Sequence, residues 1–301
     1  MSFEGNRSGF GGWIDGQDWL DQPAEVIQGW VLKLYEVMGG AGPTVKSLAH
    51  GTKPLGHPLH PALVSLPIGA FAVMVLADWT AIFTRAIPSE VGPFALIIGI
   101  LGMLGAAVTG YTDYTGTIGR ERRCATVHAA TMTTLLVVMS VSLILRYGHS
   151  ANLFFIGVLL STVAYPVMLW GGYLGGDLSF GFGTMVNHNA FVEGVTEWTE
   201  VGTTKKFAER KAVRVNAGDM AVMIVRLGGR LNAIGATCSH AGGPLDEGEL
   251  VDDIVTCPWH GSRFCIAGGR VEGGPATFDQ PALLVREREG KVEVKLPFPL
   301  H

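Results

Sequence analysis

From Pro23 onward the apolar positions Ile27, Trp30, Val31, Leu34, Tyr35 and Met38 recur at the spacing of one helix face, and Gly39-Gly40 ends the pattern. The spacing predicts an amphipathic helix that lies in a membrane interface or docks on later helices. Residues 1–22 are rich in Gly, Asp and Trp and hold no sustained period, so they read as a loose tail. Four apolar stretches follow, over 61–83, 92–112, 124–146 and 153–175. Each is long enough for a hydrocarbon layer about 30 Å thick at about 1.5 Å per residue. Charges are missing from whole faces of these stretches, which sets them apart from the helices of a soluble bundle. Gly99, Gly102, Gly105, Ala106 and Gly110 would let such spans approach closely. After about residue 193 the texture changes to short strand-like runs over 212–215, 221–226, 231–234, 254–257, 282–286 and 292–296. Gly228-Gly229, Gly268-Gly269 and Glu289-Gly290 mark turns between them. The expected fold class is therefore α + β in two domains, a four-helix transmembrane bundle followed by a small all-β domain. The boundaries expected are a flexible tail over 1–22, an interfacial helix and linker over 23–56, the four-span domain over 57–180, a linker over 181–194 and the all-β domain over 195–301.

Composition sharpens this division. The chain is 48% hydrophobic and only 16% charged, well below the quarter or so usual for soluble domains. Residues 58–192 carry ten charged side chains, whereas 193–301 carry 28. A net charge of −4 offers no basic face to nucleic acid, and no such partner is expected. The first 56 residues show no basic, apolar, small-residue succession, so the first span is expected to act as its own insertion signal. Arg120, Arg122 and Arg123 lie between the second and third spans, with Lys46 and Lys53 before the first and Lys205, Lys206, Arg210 and Lys211 after the fourth. Arg85 and Arg146 edge the opposite loops. The excess predicts a multi-pass protein of the cell membrane with both termini and the all-β domain in the cytoplasm.

Four cysteines are too few for a disulfide scaffold, and two of them sit beside histidines. Cys238-Ser-His240 is followed after sixteen residues by Cys257-Pro-Trp-His260. Two thiolates and two imidazoles can hold a tetrahedral zinc, but zinc modules usually pair like ligands two to four residues apart. One Cys and one His from each loop suit a [2Fe-2S] cluster with both cysteines on one iron and both histidines on the other.

Over residues 195–297 the sequence resembles the Rieske [2Fe-2S] domain family. The likeness rests on Cys238-Ser-His240-Ala-Gly242-Gly243-Pro244-Leu245, on Cys257-Pro-Trp-His260-Gly261-Ser262-Arg263-Phe264, and on Gly273-Gly274-Pro275-Ala276. It implies that Cys238 and Cys257 ligate the inner iron and His240 and His260 the outer one, with 273–276 as a third loop over the cluster. Glycines suit such loops, because backbone N–H groups must approach the sulfides closely. Bulk at Gly242 or Gly261 is expected to distort the cluster. The disulfide of the cytochrome bc-type branch would fall on Gly243 and Trp259, so it is not expected here. Ser262 matches that branch's sulfide-bonding serine, while Phe264 stands in place of its tyrosine. A reduction potential below the high-potential branch is expected. Cys265 and Cys124 read as structural cysteines, with a redox-sensitive role for Cys265 as the alternative.

The start His57-Pro-Leu-His60-Pro, with Asp113 after the second span and His128 within the third, resembles the four-span membrane family called domain of unknown function 2231, over about 55–180. Four antiparallel spans bring His57, His60, Asp113, Arg122, Arg123, His128 and Asp177 toward one membrane face. Ionisable groups at membrane depth point to function. A haem b held by His60 and His128, or a quinone headgroup bonded by His60, Asp113 or His128, is a candidate beside a hydrogen-bonded network that merely caps the bundle. Asp78 and His149 lie toward the far side and receive no role.

The resulting expectation is a membrane-anchored electron carrier, with a donor, an acceptor and membrane lipid as its partners. Its alternative is a cluster-based redox sensor or assembly factor. No catalytic residue is named. A Rieske oxygenase subunit needs a second iron site in a large domain after the cluster, for which the stretch to His301 leaves no room.

Overall fold

The computed structural model describes residues 9–297. It divides into two compact units. One holds the residues up to Gly42 with Leu59–Phe182, and the other holds Pro43–Pro58 with Gly183 onward.

In the first unit, helices α1 (Gly9–Asp15) and α2 (Asp21–Val37) precede four helical spans. The first span runs through α4 (Leu59–Leu63) and α5 (Ser65–Thr84), and the next are α6 (Val91–Tyr114), α7 (Gly119–Arg146) and α8 (Ala151–Gly176). The four spans are long and apolar enough to cross a membrane. Phe71, Met74, Leu96, Leu135, Met139 and Met168 form their common core. A Cβ at Gly99 would lie 2.1 Å from Phe71 Cε1, so that glycine is what lets α5 and α6 close on each other. Large side chains such as Leu76, Ile144 and Val163 stand 69%, 71% and 70% exposed around the outside. Surfaces of that kind suit a lipid rather than an aqueous neighbour.

Two sequence expectations change in this unit. The segment expected as a loose tail is helical from Gly9, with Ile14 and Leu20 buried against Cys124 and Leu174; the first eight residues lie outside those described. Ion pairs add to this packing, with Arg123 bonding Asp21 at 2.7 Å and Asp18 at 2.6 Å, and Arg122 bonding Glu25 at 3.1 Å. Helix α2 docks on the bundle through Ala24, Ile27 and Gln28, whose amide donates to Tyr114 O at 2.7 Å. Trp30, Leu34 and Val37 remain on its outer face. Arg146 is the second change. It is not a loop charge but is wholly buried, donating to Asp78 at 2.8 and 2.7 Å and to Ser161 Oγ at 2.6 Å. Ser142 and Ser161 in turn donate to Gly157 O, and a Cβ at Gly92 would strike Asp78 Oδ1. All four spans thus meet around one ion pair. An isolated charge there would be untenable, which is why Asp78, given no role from sequence, is present.

The second unit opens with α3 (Gly42–His50, in this unit from Pro43) and continues after Gly183 into ten strands. Strands β1 (Thr199–Thr203), β2 (Val213–Ala217), β3 (Met220–Leu227), β4 (Arg230–Gly235), β9 (Ala282–Arg288) and β10 (Lys291–Lys295) form an antiparallel sheet in the order β1-β10-β9-β4-β3-β2. Strands β5 (Glu249–Val251), β6 (Ile254–Thr256), β7 (Arg263–Cys265) and β8 (Val271–Gly273) form a smaller antiparallel sheet. One core joins them, in which Met223, Ile234 and Val225 of the large sheet meet Val255, Phe264 and Val271 of the small one.

Candidate metal centre

Two loops of the second unit repeat one backbone design. In the first, Cys238 N–H donates to Gly243 O at 2.8 Å and Gly242 N–H to Cys238 O at 2.9 Å. In the second, Cys257 N–H donates to Ser262 O at 2.8 Å and Gly261 N–H to Cys257 O at 3.0 Å. The fifth residue of each loop is a glycine with positive φ, 77° at Gly242 and 75° at Gly261. Side chains rarely adopt that conformation, so the turn itself demands glycine. Each loop therefore presents its cysteine and its histidine from a rigid hairpin.

The loops bring all four sequence-predicted ligands together. Cys238 and Cys257 are buried and within hydrogen-bonding reach of each other, in a core with Leu245, Phe264 and Ala276. The His240 and His260 rings stand 4.9 Å apart, centre to centre, and nearly perpendicular. Two nitrogens about 2 Å from one metal, at a near-tetrahedral angle, give a ring separation of roughly 5 Å. His240 Nδ1 and His260 Nε2 are buried and have no hydrogen-bond partner among the described residues. Orphaned ring nitrogens beside paired thiols fit a metal cluster as their missing partner.

Electrostatics agree with that donor set. Burial, then the neighbouring His260, His50 and His188, push the His240 imidazole down to about 3. Burial also lowers His260. Both are thus held neutral, the form that coordinates metal. The Cys257 thiol is brought down to about 6 by a hydrogen bond from Cys238, which is itself pushed up. One of the two sulfurs is therefore readily a thiolate.

The remaining predicted residues surround this centre. A Cβ at Gly243 would lie 2.8 Å from Cys257 Sγ and 3.1 Å from Trp259, so no side chain fits there. Pro244 pairs across its loop, through the bridge from its residue to Thr237. Ser262 Oγ, fully buried, accepts the Ala276 N–H at 3.0 Å and ties the second loop to the third. Phe264 and Pro275 are buried. Cys265 is half-buried, with its thiol 3.5 Å from Asp253 Oδ2, and Cys124 is buried in the other unit.

Sequence reasoning missed two groups of residues around the centre. The stretch expected as a linker is bound to the first loop, where His188 N–H donates to Ser239 O at 3.1 Å and the Asn189 amide to Thr237 O at 3.0 Å. Thr52, before the first span, donates its hydroxyl to Ala276 O at 3.0 Å. No local pattern marks either contact.

In the bundle the structure pairs two of the four predicted membrane residues. The His60 and His128 ring centres are 6.3 Å apart. His60 Nδ1–H donates to Ala106 O and His128 Nδ1–H to Gly171 O, each at 2.9 Å. Both Nε2 atoms are thereby left as lone-pair acceptors. His57 is exposed and turned to Pro58 O at 3.0 Å. Asp113 lies partly buried on α6, a turn beyond Gly110.

Comparison with known proteins falls on the same two regions. Residues 197–294 match the family described as Rieske [2Fe-2S] domain, and residues 56–188 the one described as predicted membrane protein (DUF2231). Over 98 residues, 33% of this chain and 92% of the relative, the sequence is 31% identical to the ferredoxin component of biphenyl 2,3-dioxygenase from Rhodococcus jostii (strain RHA1). It is 35% identical over 85 residues to ferredoxin CarAc of Metapseudomonas resinovorans, covering 28% of this chain and 78% of that one. A solved ferredoxin of carbazole 1,9a-dioxygenase from Nocardioides aromaticivorans IC177 aligns at 25% identity and TM-score 0.32, over 34% of this chain and 99% of its own.

Proposed function

Because the chain belongs to the Rieske [2Fe-2S] domain family over residues 197–294, with a DUF2231 membrane domain over 56–188, we propose that it is a membrane-anchored carrier of single electrons. The observation that carries this reading is the convergence of two thiols and two neutral, orphaned imidazoles on twin hairpin loops. When bound, the cluster supplies a one-electron change in iron valence. Cys238 and Cys257 would hold its inner iron, and His240 and His260 its outer one. The apolar shell of Leu245, Phe264 and Ala276 keeps water from the cysteine side. The positive φ of Gly242 and Gly261 would let the loops close around the sulfides, and the buried Ser262 hydroxyl would be available to donate to one of them. In this reading the reaction is outer-sphere electron exchange with a donor and an acceptor. Of the named relatives, one is the ferredoxin component of a biphenyl dioxygenase and another is a ferredoxin; in this reading the chain carries out such a function at a membrane.

On the membrane side, the His60–His128 pair is the place for a second redox ligand. Two Nε2 lone pairs would donate to the iron of a haem b or accept hydrogen bonds from the hydroxyls of a quinol. Asp113, partly buried on the same span as Ala106, remains a candidate for the same headgroup, while His57 is exposed. An even number of spans and the excess of Lys and Arg at one end support a reading in which both termini and the Rieske domain lie in the cytoplasm of a cell-membrane protein.

Full-length protein, purified in detergent without oxygen, tests the reading. Acid-labile sulfide and a reduced EPR signal with average g below two are expected. Zinc in place of iron, with no sulfide, overturns it. Soret absorption in haem-replete protein, lost on His128→Ala, selects haem, and its absence leaves the quinol.

A further inference from the structure

The stretch Pro43–Pro58 belongs to the same compact unit as the Rieske fold, although the first membrane span begins immediately after it. It is folded tightly on itself, with Thr52 N–H donating to Ser47 O at 3.0 Å and His57 N–H to Gly51 O at 3.0 Å. Ala49, His50 and Thr52 are 8%, 1% and 3% exposed. For polar side chains such as His50 and Thr52, such burial means that they are packed against something built to receive them.

That something is the third cluster loop. Thr52 donates to Ala276 O, and the neighbouring Lys53 Nζ lies 2.7 Å from Glu272. A Cβ at Gly274 would come within 2.4 Å of Thr52 Oγ1 and 3.2 Å of His50 Cδ2. The third loop is thus gripped at 272, 274 and 276. Residue 276 also carries the N–H that Ser262 Oγ accepts, so Thr52 and Ser262 hold it from opposite sides. His240 is 7% exposed, whereas His260 is half-buried and the adjacent Trp259 is 50% exposed.

We infer that Pro43–Pro58 is a fixed cover for the cluster, in which Thr52 is a positioning residue that clamps the third loop through Ala276, so that electrons pass at the His260–Trp259 edge and not at His240. Thr52 acts on the centre through the third loop, whose Ala276 N–H is accepted by Ser262 Oγ. The inference rests on the Rieske reading for the identity of the cluster, while the clamp is a property of the protein alone.

The experiment is hydrogen exchange followed by mass spectrometry on the full-length protein, with EPR and deuterium modulation in D2O on the reduced cluster. Thr52→Val removes the donor at nearly constant size, and Gly274→Ala pushes the cover away. Both are expected to speed amide exchange over 272–277 by about three- to tenfold, the loss of one hydrogen bond, and to deepen the deuterium modulation of the cluster signal. Thr52→Ser is expected to restore wild-type values in both measurements. Wild-type exchange and wild-type modulation in Thr52→Val and Gly274→Ala overturn the inference. Should these variants not fold, Lys53→Met, which loosens the exposed end of the clamp, is read by the same two measurements and judged the same way. A wild-type protein with no Rieske EPR signal overturns the cluster reading instead, and exchange at 272–277 still judges the clamp.

Discussion

The cluster loops and the membrane bundle solve the placement of polar groups in opposite ways. At the cluster, ligands two or three residues apart are aimed by a hairpin whose own backbone bonds fix its shape, and a glycine of positive φ closes each turn. In the bundle the ion pair and the histidine pair each join residues far apart in sequence. Asp78 and Arg146 are 68 residues apart, and His60 and His128 come from the first and third spans. The contrast teaches that a site written into a loop is legible and separately foldable, whereas a site shared among helices exists only when all of them are packed.

Breaking the bundle should have the largest effect. Arg146→Ala leaves Asp78 buried and unpaired, with an expected cost of about 3–5 kcal/mol. Thermal unfolding in detergent reads this, while the cluster EPR line shape at low temperature stays as in the wild type. The double change Asp78→Leu with Arg146→Met removes both charges and is expected to recover most of that loss. Gly242→Ala tests the loop side. A side chain at φ 77° costs about 1–2 kcal/mol, and iron content after purification should fall. Ser262→Ala removes one hydrogen bond of about 1 kcal/mol, equivalent to roughly 40 mV for a one-electron couple, and voltammetry should find the potential lower by that amount. The smallest effect belongs to Glu272. Bonds from Lys53 and then Arg270 hold its carboxyl below the ordinary value of 4.5. Its contribution is therefore present above that value and is lost as pH falls through the depressed one, so exchange over 272–277 should quicken only in that acid range. Glu272→Gln should remove the pH dependence.

What could be read in advance follows the same contrast. The four candidate ligands and the four apolar spans are visible in the sequence, because each depends on a short motif or a long run of one composition. Strands β1, β5, β7 and β8 are not; β5, β7 and β8 have only three residues each, and β6, equally short, shows itself only as an apolar run. Helix α1 was hidden by Gly9, Gly11 and Gly12, which lower helix propensity until Ile14 finds its core. Arg146 looked like a loop charge because nothing near it in sequence announces Asp78. The contact of Thr52 with Ala276 spans 224 residues and has no periodic signal at all.

The discontinuity of the second unit has a practical corollary. A soluble truncation starting at Gly183 would keep every ligand and both sheets, yet it would discard the piece of polypeptide that lies on residues 272–276. Such a fragment would bare Gly274 to solvent and report the redox behaviour of an unlidded relative. The chain reaches back past its whole membrane domain to finish its own metal centre.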